Sequence, residues 1–139
     1  MKKIMYILIL LLMSINALGY INIYPSKFEK SIKEETYEEF TLYNRTQRDI
    51  KYRVYLEDIE GKKSMTDWIK IYPKSISLKP LEEKTIKLSV KAPTGTPAGE
   101  YNSNLVIKEI ESVKKTRDED ESRVKVMTML KLKLKGYID

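Results

Sequence analysis

The sequence predicts an all-β protein built as a single β-sandwich, on two observations. Apolar residues recur with a period of two rather than 3.6 along most of the chain, which is the alternation of a strand with one face buried and one in water. Proline, glycine and asparagine-centred turn signals then separate these runs at short, fairly even spacing, as in a sandwich of short strands.

The elements follow in order. Ile21 and Ile23 alternate with Asn22 and Tyr24 ahead of Pro25. Phe40 and Leu42 alternate with Glu39, Thr41 and Tyr43, and Asn44-Arg45-Thr46 reads as the turn that follows. Ile50, Tyr52, Val54 and Leu56 share one parity, and Glu60-Gly61-Lys62 closes that strand. Trp68 to Tyr72 and Ile76 to Leu78 are short runs bounded by Pro73 and Pro80. Ile86, Leu88 and Val90 make the next strand. Tyr101, Ser103, Leu105 and Ile107 share one face of a later one. Residues Glu29 to Glu35 are the ambiguous stretch, compatible with a helical turn. Residues Ser112 to Ser122 are rich in charge, lack apolar residues except Val113, and read as an exposed loop.

The last run is the longest. Val124, Val126, Thr128, Leu130, Leu132 and Leu134 fall on one parity across residues 123–135, opposite Lys125, Lys131, Lys133 and Lys135. Typical strands have about five or six residues. Leu130 to Leu134 fit the domain's own core. Val124, Val126 and Thr128 either extend that core or overhang as free strand. A long terminal strand at a sheet edge leaves N–H and C=O groups open to a strand from another chain, and edge lysines are a common guard against indiscriminate pairing.

The N-terminus has the three parts of a secretory signal peptide: Lys2 and Lys3, an apolar run from Ile4 to Met13, and the small-x-small end Ala17-Leu18-Gly19. The apolar run is short for a membrane span, which needs about 20 residues. The expected organisation is a signal peptide over residues 1–19 and one domain over residues 20–139, exported to the periplasm or cell surface, with membrane contact only through the transient leader. Removing Lys2 and Lys3 takes the 26 basic residues to 24 against 20 acidic, a net charge of +4. The basic residues alternate with apolar ones, as solvated strand faces do, which argues against nucleic acid as a partner.

The chain has no histidine and no cysteine. That removes the usual general base, the thiol nucleophile and most transition-metal sites. No Gly-x-Ser-x-Gly or Gly-rich phosphate loop occurs. Asp118 to Glu121 lack the ligand spacing and glycine of a calcium loop. The expectation is a non-enzyme with no metal and no cofactor. Asn44-Arg45-Thr46 also matches a glycosylation sequon, with the turn as the plainer reading, and Trp68 reads as a core anchor rather than a sugar platform.

The order of several short motifs resembles the N-terminal immunoglobulin-like domain of periplasmic pilus (fimbrial) chaperones. They are Ile23-Tyr24-Pro25-Ser26-Lys27, Phe40 to Thr46, Trp68 to Pro73 with Ile76-Ser77-Leu78-Lys79-Pro80, Glu83 to Leu88, Gly99-Glu100-Tyr101 with Leu105, and Val124 to Leu134. The resemblance spans nearly all of residues 21–135. It implies a pilus-chaperone-like immunoglobulin sandwich that binds secreted or envelope polypeptides, pilin-like subunits among them, by donor-strand pairing. Val124, Val126, Thr128 and Leu130 would contact the partner strand, and Lys27 and Lys133 would be candidate anchors for a pilin's C-terminal carboxylate. The family has two domains with the anchoring cleft between them, whereas this sequence matches the first alone, so strand donation is what the resemblance chiefly implies. The rival reading is a structural or adhesive surface module with the same fold.

Overall fold

The computed structural model describes residues 21–110 and 127–139. They form nine strands: β1 (Ile21–Tyr24), β2 (Phe28–Ser31), β3 (Thr36–Asn44), β4 (Ile50–Glu57), β5 (Ile69–Tyr72), β6 (Ser75–Leu78), β7 (Glu83–Val90), β8 (Gly99–Ile110) and β9 (Met129–Ile138). Two sheets result, one ordered β1-β3-β7-β5 and the other β2-β9-β8-β4-β6. Every pairing is antiparallel except β2 with β9. The predicted leader over residues 1–19, the Ser112 to Ser122 loop, the acidic run Asp118 to Glu121 and the candidate contacts Val124 and Val126 lie outside the described residues.

The alternation places the core as expected. Phe40 and Leu42 of β3 and Ile86, Leu88 and Val90 of β7 face Tyr52 and Val54 of β4 and Leu105 and Ile107 of β8 across the sandwich, all essentially buried. Between β4 and β5 the chain crosses from one sheet to the other. It carries Met65 into the core on the way, where the Met65 N–H donates to the Ser103 hydroxyl at 3.3 Å. Trp68 packs against the core as an anchor, its ring tilted on Tyr101 at 5.0 Å, and the Tyr101 hydroxyl donates to the Pro97 carbonyl at 2.7 Å.

Asn44 is buried and acts as a hub. Its amide donates to the carbonyls of Arg48, Leu78 and Lys79, and its side-chain oxygen accepts from the Thr46 N–H and hydroxyl. The turn expected at Asn44-Arg45-Thr46 is present, closed by the Thr46 N–H and hydroxyl on the Asn44 side-chain oxygen.

Two expectations are corrected. The stretch compatible with a helical turn contains no helix: Phe28–Ser31 is strand β2, lying parallel to Leu134–Tyr137 of β9. Phe28 and Ile32 stand four apart and both are buried, a spacing that imitates one face of a helix. Backbone pairing with a strand about a hundred residues away overrides that local signal. The last strand, expected over 123–135, continues three residues further, to Ile138, and Met129 is its first residue. The extension is held by Gly99–Tyr101 of β8 on one side and, at Gly136 and Tyr137, by β2 on the other.

A candidate strand-accepting edge

The long final strand has two halves with different surroundings. β8 pairs with β9 along its whole length, from Lys108↔Met129 to Gly99↔Ile138. On the other side β2 covers only Leu134 to Tyr137. Met129 to Lys133 therefore have a sheet neighbour on one side alone among the described residues.

Which backbone groups face the open side follows from the ladder. In an antiparallel pair, residues alternate between bonding the neighbour and pointing away from it. The Glu109 N–H donates to the Thr128 carbonyl at 2.9 Å, so even-numbered residues of this stretch bond β8. The Ile32 N–H donates to the Tyr137 carbonyl at 3.1 Å, so odd-numbered residues point to the β2 side. The N–H and C=O groups of Met129, Lys131 and Lys133 thus face the open edge. Leu132 and Leu134 are buried inward, and Leu130 is partly buried against the core. The outward parity carries Met129, Lys131, Lys133, Lys135 and Tyr137.

The start of this edge is fixed by a group the sequence reading missed. Glu109 is buried on the inward face of β8. One carboxylate oxygen accepts the Thr128 N–H at 2.9 Å, and the other is bonded by the Arg48 guanidinium. Burial pushes its carboxyl upward, but the Arg48 and Thr128 hydrogen bonds outweigh that and hold it below the ordinary carboxylate value. On β4, burial raises the hydroxyl of its register partner Tyr52 to about 12, with the Glu109 charge adding to the effect. A signal was available: Glu109 falls on the same parity as Tyr101, Ser103, Leu105 and Ile107, where a charge needs a partner.

Of the sequence-derived residues, Thr128 sits at the mouth of the edge with both backbone groups held by Glu109, and Leu130 lies within the open stretch. Lys27 and Lys133 each immediately precede the register pair Phe28↔Leu134, so both stand at the step where β2 begins and the open edge ends. Both side chains are exposed. Lys27 bonds Glu29 at 3.1 Å and depresses its carboxyl, with Lys135 contributing. Further along, Lys131 bonds Glu57 at 2.6 Å, which lowers the Glu57 carboxyl and raises the Lys131 ammonium.

No family model and no curated protein matches this chain. Solved structures do match. The E. coli chaperone DraB is 12% identical over 86% of this chain and 55% of its own, with a TM-score of 0.63. The CsuC–CsuE chaperone–tip adhesion subunit pre-assembly complex of Acinetobacter baumannii is 16% identical over 85% of this chain and 56% of that one, with a TM-score of 0.60. SSP-19, an MSP-domain-like protein of Caenorhabditis elegans, is 10% identical over 84% of this chain and 99% of its own, with a TM-score of 0.59. The chain spans little more than half the length of the chaperones it matches. At these identities the likeness is one of fold, and the chain is an all-β, immunoglobulin-like sandwich of the architecture shared by pilus chaperones and MSP-type domains.

Proposed function

We propose that this is an exported, non-enzymatic envelope protein that binds other secreted polypeptides by adding one of their strands to the open half of β9, in the manner of a pilus chaperone. The observation that carries this reading is the lone neighbour of Met129 to Lys133 in a strand whose other half is held on both sides. The fold likeness to periplasmic chaperones supports it, as does the signal-like N-terminus. Val124, Val126, Thr128 and Leu130 are the proposed strand contacts. A partner strand continuing the line of β2, in the same direction, would end at Lys27 and Lys133, where two ammonium groups suit a terminal carboxylate.

Lys131→Pro tests the pairing. Residue 131 directs its N–H to the open edge, so proline there removes a donor from the incoming strand without removing one from the β8 ladder. The expected result is retained strand content and cooperative unfolding with loss of binding to a co-expressed pilin-like subunit. Full binding by a folded Lys131→Pro protein would exclude pairing at this edge.

A second reading, a structural or adhesive surface module, is favoured by the likeness to SSP-19 over nearly that protein's whole length. It predicts a stable assembly at the cell surface, where chaperone action predicts transient complexes.

A further inference from the structure

The charges on the outer face of the β2-β9-β8-β4-β6 sheet are distributed unevenly. In the closed half, Lys135 lies within 3.5 Å of Glu100 and 3.9 Å of Glu29. Glu29 belongs to β2, the strand that already occupies this edge, and is the direct register partner of Lys135. The resident strand therefore places Phe28 inward, 2% exposed, and Glu29 outward against a β9 lysine.

The open half lacks that complement. The first row across the sheet runs Met129–Lys108–Arg53, with Arg53 and Lys108 directly opposite each other. Like charges in that position destabilise a sheet. Lys133 lies two residues before Lys135 on the same face. Among the described residues, Glu57 is the acid that reaches this half, and it is bonded to Lys131. Arg53, Lys108 and Lys133 have no ion pair with a described residue.

Resting on the strand-pairing reading above, we infer that the accepted strand repeats the Phe28-Glu29 pattern. It is an apolar–acidic alternating segment, with apolar side chains turned toward Leu130 and Leu132 and Asp or Glu side chains turned outward beside Lys133 and in the positive field of Lys108 and Arg53, which lie one and two strands beyond β9. Charge on the outer face then selects among strands that satisfy the same backbone bonds, and it discriminates against strands whose outer face is basic.

The test uses the full chain and three short peptides with identical apolar positions and with Glu, Ser or Lys at the alternate positions. All three are amidated, so that no terminal carboxylate contributes. Affinity is measured together with hydrogen exchange at the Met129, Lys131 and Lys133 amides. The Glu peptide is expected to bind about tenfold tighter than the Ser peptide, from a few outer-face pairs of modest strength each. That advantage should vanish in about 0.5 M salt, and Lys133→Glu should reverse the order of the Glu and Lys peptides. Equal affinities for all three peptides, with those amides protected, would refute charge selection while leaving strand pairing intact. Absence of protection with every peptide would refute the pairing itself, and the inference with it.

Discussion

Glu109 grips Thr128 twice. Its backbone N–H donates to the Thr128 carbonyl at 2.9 Å, and its carboxylate accepts the Thr128 N–H at 2.9 Å. A side chain thereby takes the place of a ladder carbonyl at the residue just before β9 begins. Arg48, on the other carboxylate oxygen, offsets the cost of keeping the charge buried. Glu109→Ala leaves the Thr128 N–H and the guanidinium without this partner and should cost about 2 kcal/mol of stability, with faster amide exchange at Thr128. The pH dependence has a definite sign. The folded carboxyl is depressed from 4.5, so its contribution is complete above that value and is lost as pH falls through the folded pKa. The stability gap between the native protein and Glu109→Gln, followed by urea unfolding, should therefore narrow on acidification.

Asn44 gives a slope of the opposite sign. Its amide donates to the carbonyls of Arg48, Leu78 and Lys79, tying the β3–β4 turn to the end of β6. Asn44→Ala should cost about 3 kcal/mol, because those carbonyls lose a donor in a buried site. Asn44→Asp preserves the acceptor for Thr46 but turns an anionic oxygen toward the same carbonyls. Its folded carboxyl should be raised, so the variant should gain stability relative to native as pH falls toward the carboxylate range. A flat difference between Asn44→Asp and native across that range would show that the aspartate escapes to solvent.

The contrast between these two residues bears on what a sequence reader can see. Asn44 was legible as a turn because a polar residue after a period-two run, followed by Arg45 and Thr46, is a local signal. Glu109 was legible in principle, as a charge on an apolar parity, but its partners Arg48 and Thr128 are supplied by the turn before β4 and by the residue preceding β9. The long strands were readable because alternation over eight or more residues is local information. β2 was not, since its four residues take their conformation from β9. Val106 marks the same limit. It lies on the outward parity yet is fully buried, because its register partners Tyr55 and Lys131 flank it and Lys131 is drawn toward Glu57. The half-open state of β9 depends on where β2 stops, and no pattern within residues 123–135 encodes that.

Gly136 is where β2 and the β4–β5 crossing meet the final strand. A Cβ built there would approach Ile32 Cγ2 and Cδ1 at 2.7 and 2.8 Å and Met65 Sδ at 2.8 Å. All three are buried side-chain atoms, so Gly136→Ala must displace part of the core. It should destabilise the domain by about 1–3 kcal/mol. Pairing it with Ile32→Val removes one of the clashing atoms, so the double variant should be more stable than the sum of the single effects implies. Thermal unfolding of the four proteins measures that coupling, and strict additivity would show that the strain is relieved elsewhere.

Lys27 and Lys133 stand one residue before the Phe28↔Leu134 pair, at the end of the line a partner strand would follow if it ran parallel to β9. If that strand terminates there, its carboxylate meets both ammonium groups, and Lys27 exchanges its bond to Glu29 for a new one. Each contact is exposed, so each is worth on the order of 1 kcal/mol. A peptide with a free C-terminus placed at this step should bind about fivefold tighter than its amidated form. Lys27→Ala and Lys133→Ala should each reduce that preference, and together they should abolish it, while an amidated peptide with Ser at its outward positions should keep nearly unchanged affinity. Glu29→Gln should act in the opposite direction, because it frees Lys27 from its present partner. A free-acid preference that survives the double substitution would assign the terminal carboxylate to other groups. An unchanged preference in Glu29→Gln, with both lysine variants weakened, would show instead that Lys27 holds both carboxylates at once.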